Sequence, residues 1–168
     1  MMRRILGIDP STRCVAFAVL EGSDLIDWGT RTTRKADSDL ALSVIRALID
    51  RFQPQIIAIE DTTSPGSRRC VRVRKLLDAV AATAPKSATV RRIPVARLAT
   101  PDQEGRAATK YQRALALAKR FQELQSRLPR VRKPWMSEDA RINIFDALSF
   151  ALACIPTTPK VDRNADAA

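Results

Sequence analysis

The chain has no histidine in its 168 residues. Ser-His-Asp and Cys-His catalysis, imidazole general bases and His-ligated metals are therefore excluded. Its three cysteines, Cys14, Cys70 and Cys154, lie far apart and form no CxxC pair, so neither a disulfide framework nor a cysteine zinc site is indicated. No stretch approaches the ~20 uninterrupted apolar residues of a membrane span. The apolar run after Met1-Met2-Arg3-Arg4 stops at Asp9, too short for a signal peptide. A P-loop is also missing, which argues against the commonest ATPase chemistry. Acidic residues are in the minority, 18 against 29 Lys plus Arg, for a net charge of +11. Together with these absences, the positive balance makes a cytoplasmic protein with a polyanionic partner the simplest expectation.

What remains is the composition of one folded domain, 45% apolar and 28% charged. Ile5-Leu6-Gly7-Ile8 reads as a buried strand ending in the turn Asp9-Pro10-Ser11-Thr12. Val15 to Glu21 and Leu25 to Thr33 follow as strands joined by Gly22-Ser23-Asp24, giving an antiparallel meander. Asp37 or Ser38 caps a helix with the stripe Ala41, Val44, Leu48 and Phe52, stopped at Gln53-Pro54. Gln55 to Glu60 is a strand. A second helix then points Cys70, Val73, Leu77 and Val80 inward, and Ala88 to Val95 is a fifth strand. One long helix is expected from about Arg106 to Leu128, and a last one, capped by Ser137, running to about Cys154. The order predicts an α/β domain with a mixed five-stranded sheet over residues 1–155. Residues 156–168 lack apolar periodicity and are expected to be a disordered tail.

Two strands end in carboxylates, Gly7-Ile8-Asp9 and Ala58-Ile59-Glu60. In a parallel pair these meet at the carboxyl edge of the sheet, where open α/β folds bind ligands. Adjacent carboxylates repel unless one protonates or a cation lies between them. A hard divalent ion with oxygen ligands, Mg²⁺ or Mn²⁺, meets that need without histidine. On the last helix, Asp139, Asn143 and Asp146 are spaced to form one line along a face. Asp146 stands between Phe145 and Leu148, where an unpaired carboxylate is expensive. Plainer readings exist for each alone: Asp9 as a turn cap, Glu60 as a strand end, Asp139 as a helix-dipole residue.

Together, Ile5-Leu6-Gly7-Ile8-Asp9-Pro10-Ser11-Thr12, Ala58-Ile59-Glu60 and Phe145-Asp146-Ala147-Leu148-Ser149-Phe150-Ala151-Leu152 resemble the three catalytic segments of RuvC-like Holliday-junction resolvases. Lys110-Tyr111-Gln112, preceded by Gly105, resembles that family's Lys-x-Gln element. The likeness runs from about Arg4 to Ala153. It implies a ribonuclease-H-like fold with helices on both faces of the sheet. It further implies a homodimeric, Mg²⁺-dependent endonuclease that hydrolyses paired phosphodiesters in branched DNA. Two ions per site, with Mn²⁺ as a substitute, would be held by Asp9, Glu60 and Asp146, with Lys110 neutralising phosphate charge. The family's fourth acidic position is Asn143 here, so either Asp139 or the Asn143 amide takes that role, with Asp139 favoured. No aromatic follows Glu60 in Thr62-Thr63-Ser64-Pro65-Gly66, another departure from some relatives.

Two basic clusters are expected to contact phosphates. Arg68, Arg69, Arg72 and Lys75 are placed on the polar side of the second helix, and Arg130, Arg132 and Lys133 on the loop before the last helix. Trp135 either stacks on a base or caps the core. The Ala-rich second helix, at Ala79, Ala81 and Ala82, offers a dimer surface. A ribonuclease-H-like nuclease of RNA or other branched DNA, and a non-catalytic nucleic-acid-binding module, remain alternatives.

Overall fold

The structure, a computed structural model, describes residues 2–33, 37–98 and 108–156. Gly105, the expected helix start at Arg106 and the tail from residue 157 onward lie outside the described residues. The strands are β1 (Arg4–Pro10), β2 (Cys14–Glu21), β3 (Asp24–Thr32), β4 (Ile56–Glu60) and β5 (Thr89–Ile93). The helices are α1 (Ser38–Phe52), α2 (Val71–Thr83), α3 (Lys110–Arg120) and α4 (Ile142–Leu152). Strand order is β3-β2-β1-β4-β5. β1 and β2 pair antiparallel, as do β2 and β3, whereas β4 lies parallel to both β1 and β5. The mixed five-stranded sheet expected from the order of elements is the one observed.

Side-chain alternation divides the sheet into two cores. Leu6 and Ile8 of β1, with Ile57 and Ile59 of β4, pack with Ile45, Leu48, Leu77 and Val80 of α1 and α2. Ile5 of β1, with Ile56 and Ala58 of β4, packs on the other face with Ala114 of α3 and Phe145, Leu148 and Ala151 of α4. Helices therefore cover both faces. The connections follow local chemistry. Asp37 caps α1 by accepting the Leu40 N–H at 2.8 Å. Gln53 ends it in the left-handed region at φ 46°, its N–H returned to the Ile49 carbonyl.

Three details differ from the sequence reading. Cys70 is exposed and only precedes α2, while Leu76 joins the inward stripe. The expected long helix stops at Arg120: Phe121 is extended, at φ −115° and ψ 90°, and a 3₁₀ segment spans Gln122–Arg127. Phe121 and Leu124 remain buried, because a 3₁₀ turn also aligns residues three apart. Ser137 does not cap α4, which begins at Ile142, so Asp139 precedes the helix and shares no helical face with Asn143 and Asp146.

Candidate active site

Parity and register bring the acidic residues together. Gly7 pairs with Ala58 across the parallel β1–β4 ladder, so Asp9 and Glu60, each two residues on, emerge side by side on the α4 face. Gly7 then lets α4 approach: a Cβ there would fall on the Ala147 carbonyl oxygen. That close crossing lowers Asp146 toward the same strand ends. Asp9, Glu60 and Asp146 are 1%, 4% and 4% exposed, so three carboxylates are buried at one sheet edge.

Such burial demands cations, and the chain supplies them. The Arg69 guanidinium bridges two carboxylates, pairing Nη2 with Asp9 Oδ1 and Nε with Glu60 Oε2 at 2.5 Å, while Nη1 donates to the Pro10 carbonyl at 3.2 Å. Ser67 Oγ donates to the other Glu60 oxygen at 2.7 Å. Asp146 receives Arg113 Nη2 at 2.6 Å and Lys110 Nζ at 3.3 Å; Lys110 also reaches Glu138 at 2.9 Å. Burial opposes the Lys110 ammonium, but Asp146 and Glu138 outweigh it and hold its pKa above the usual value. Arg113 is a site residue the sequence reading missed. The available signal was its position one turn after Lys110, on the same helix face.

The donor set fits a hard divalent cation. Among the described residues, Asp9 Oδ2 is buried with no hydrogen-bond partner, so the internal cations there leave one carboxylate oxygen unsatisfied. Desolvation pushes the Asp9 carboxyl up from its usual 3.8 to about 7, reinforced by Asp146 and Glu60 and opposed by Arg69 and Lys110. A site that destabilises its own anion to this extent favours added positive charge. Among the described residues, however, no three acidic or thiol side chains already form a closed cage. Instead, Arg69 stands between Asp9 and Glu60, while Arg113 and Lys110 pair with Asp146.

Glu60, Arg68, Arg69, Lys110, Arg113 and Asp146 line one open cleft of about 440 Å³. A larger cavity of about 600 Å³ lies beside it, lined by Tyr111, Pro129, Met136, Asp139 and Ile142 among others, but it holds none of the three buried carboxylates. The buried carboxylates Glu60 and Asp146 and their cations make the smaller cleft the candidate site.

The remaining expected residues separate. Asp139 pairs with Arg141, accepting from Nη2 at 2.6 Å and from the Arg141 backbone N–H at 3.0 Å, and faces the larger cavity. Arg141 holds its carboxyl below the usual range. The Asn143 amide nitrogen lies 3.9 Å from Cys14 Sγ. Among the described residues, neither makes a side-chain hydrogen bond or ion pair with Asp9, Glu60 or Asp146. Arg68 and Arg69 precede α2 rather than riding on it, and Arg69 turns inward. Arg68, Lys75, Arg130, Arg132 and Lys133 are exposed, and Arg72 donates to the Thr12 carbonyl at 3.2 Å. Trp135 is 78% exposed and caps no core; Lys133 Nζ lies 5.4 Å from its ring centroid.

No protein-family model and no curated protein sequence matches the chain. Solved structures do. RuvC of Thermus thermophilus superposes with a TM-score of 0.60 at 20% identity, covering 89% of this chain and 92% of that one. The same protein in complex with a Holliday junction substrate gives 0.58 at 19%, covering 90% and 91%. The yeast mitochondrial Holliday junction resolvase Ydc2 gives 0.58 at 11%, covering 90% and 77%. At these identities the likeness establishes architecture: the chain has the RuvC-like fold.

Proposed function

We propose that this protein is a metal-dependent, structure-selective endonuclease that resolves four-way DNA junctions. The observation that carries the reading is the convergence of three buried carboxylates from β1, β4 and α4: Glu60 and Asp146 line one cationic cleft, and Asp9 lies buried behind it, joined to Glu60 through Arg69. The RuvC-like fold, shared with a protein solved on a Holliday junction, gives the reading its substrate.

Asp9, Glu60 and Asp146 are the residues that would hold Mg²⁺, with Mn²⁺ as a substitute. Two bound ions would lower the pKa of an attacking water and stabilise the leaving 3′ oxygen. The chain's own residues do the rest. Lys110 and Arg113 stand on Asp146, where they can meet the scissile phosphate and neutralise part of its charge. Buried strand ends keep the carboxylates rigid and bulk water away. Exposed Arg68, Arg130, Arg132 and Lys133 extend the positive rim for flanking phosphates. A homodimer is proposed because paired cuts on opposed strands require two such clefts.

The test is cleavage of a labelled four-way junction, with linear duplex alongside, in Mg²⁺ and in EDTA. Wild type is expected to make paired, metal-dependent nicks confined to the junction. Asp146→Asn is expected to bind the junction without cutting it, with a loss of rate above about 10³-fold. Cutting that ignores the junction would remove the substrate assignment. Tight binding with no cleavage of any substrate would leave a binding module.

A further inference from the structure

Arg69 stands where the nuclease reading requires a cation. Its guanidinium joins the two strand-end carboxylates, Asp9 and Glu60, on neighbouring parallel strands. As an occupant it is incomplete, because Asp9 Oδ2 stays buried and unpartnered among the described residues. Nor is it locked in: the side chain is 20% exposed at the lip of the cleft and springs from the Asp61–Cys70 segment, beside exposed Arg68. Its own main chain is anchored from α2, where Arg74 Nε donates to the Arg69 carbonyl at 2.9 Å. Turning the guanidinium outward would exchange its bonds to the two carboxylates and to the Pro10 carbonyl, while the Arg69 backbone stays held by Arg74.

We propose that Arg69 is an internal competitor for the divalent cation. It neutralises Asp9 and Glu60 in the DNA-free protein and exchanges them for a DNA phosphate when substrate enters the cleft. The inference rests on the nuclease reading and deepens it by setting an order of events. Guanidinium binds phosphate as readily as carboxylate, in the same forked geometry. A phosphate arriving at the lip satisfies Arg69 and leaves two adjacent carboxylates uncompensated, which raises their affinity for a metal. By linkage, metal and DNA then favour each other. A free enzyme so arranged holds its ions weakly and loads them on substrate.

The experiment titrates Mn²⁺ into DNA-free wild type, Arg69→Gln and Arg69→Lys by calorimetry, with thermal shift as a second readout. Removing the competing charge is expected to tighten Mn²⁺ binding about tenfold or more in Arg69→Gln, with Arg69→Lys between the two. In EDTA, the same Arg69→Gln protein is expected to bind a four-way junction more weakly, its salt slope shallower by about one unit. A residue that merely supported the fold would not tighten metal binding while loosening DNA. If Arg69→Gln folds only when Mn²⁺ is added, that rescue supports the competition, and Arg69→Lys supplies the affinity. Unchanged Mn²⁺ affinity in the variants, with junction binding by wild type intact, overturns this proposal alone. Wild type that binds no junction overturns the nuclease reading instead.

Discussion

Gly7 and Asp9, two positions apart on β1, show how single residues set this site. At Gly7 the missing side chain is what allows the Ala147 carbonyl of α4 to lie on the strand. Gly7→Ala must push the helix away, and overpacking of this kind costs about 1–3 kcal/mol. The expected result is a thermal midpoint several degrees lower, together with loss of cleavage as Asp146 withdraws; a variant as stable and active as wild type would refute the close-approach role. At Asp9 the consequence is a pH dependence. Because burial raises its carboxyl to about 7, the folded protein binds a proton that the unfolded chain, with its usual 3.8, releases earlier. The contribution is therefore present in full below about pH 4 and lost as pH rises through about 7. In EDTA, the stability of wild type relative to Asp9→Asn should fall across that window. Parallel stability profiles would show that Asp9 is not the titrating group.

At the scale of elements, the stretch before α4 separates two roles for one carboxylate. Asp139 accepts the Arg141 backbone N–H, and Ile142 N–H returns to the Asp139 carbonyl, so this residue forms the turn from which α4 starts. Its expected behaviour is structural. Asp139→Asn should keep junction cleavage near the wild-type rate, and Asp139→Ala should cost about 1 kcal/mol of stability from the lost turn hydrogen bond. A hundredfold loss of cleavage in Asp139→Asn would make it a ligand after all. The Ser137-Glu138-Asp139 run mimics a helix start in sequence, because the residues that cap helices also form turns. Strand ends were legible for a firmer reason. Apolar runs broken by Asp9 and Glu60 have few physical explanations, and Asp146 in an apolar helix has fewer. By contrast, the break at Phe121 leaves the three- and four-residue spacing of Leu117, Phe121 and Leu124 intact, so no periodicity could reveal it. The inward turn of Arg69 was hidden in the same way: an arginine among arginines carries no mark of which one enters the cleft.

Over the whole molecule the net charge of +11 acts as a field rather than as a set of contacts. Only cations near phosphate release counterions on binding, so position decides which charges count. Arg132 lines the cleft and Arg130 the neighbouring cavity, and Lys133 is exposed on the same segment leading into α4. Arg46 lies on α1, across the sheet from the carboxylates, Lys86 precedes β5 at the opposite end of its strands, and Lys119 lies at the far end of α3 from Lys110. These three are also exposed. Replacing either triplet by alanine removes three positive charges and no core contact, so both variants should melt with wild type. Their junction binding should differ. Loss of Arg130, Arg132 and Lys133 is expected to reduce the slope of log affinity against log salt by about three units, weakening binding most at low salt. Loss of Arg46, Lys86 and Lys119 should lower the association rate slightly and leave the slope unchanged. Equal slopes in the two variants would mean that total charge, and not a basic rim around the buried carboxylates, draws the protein to DNA.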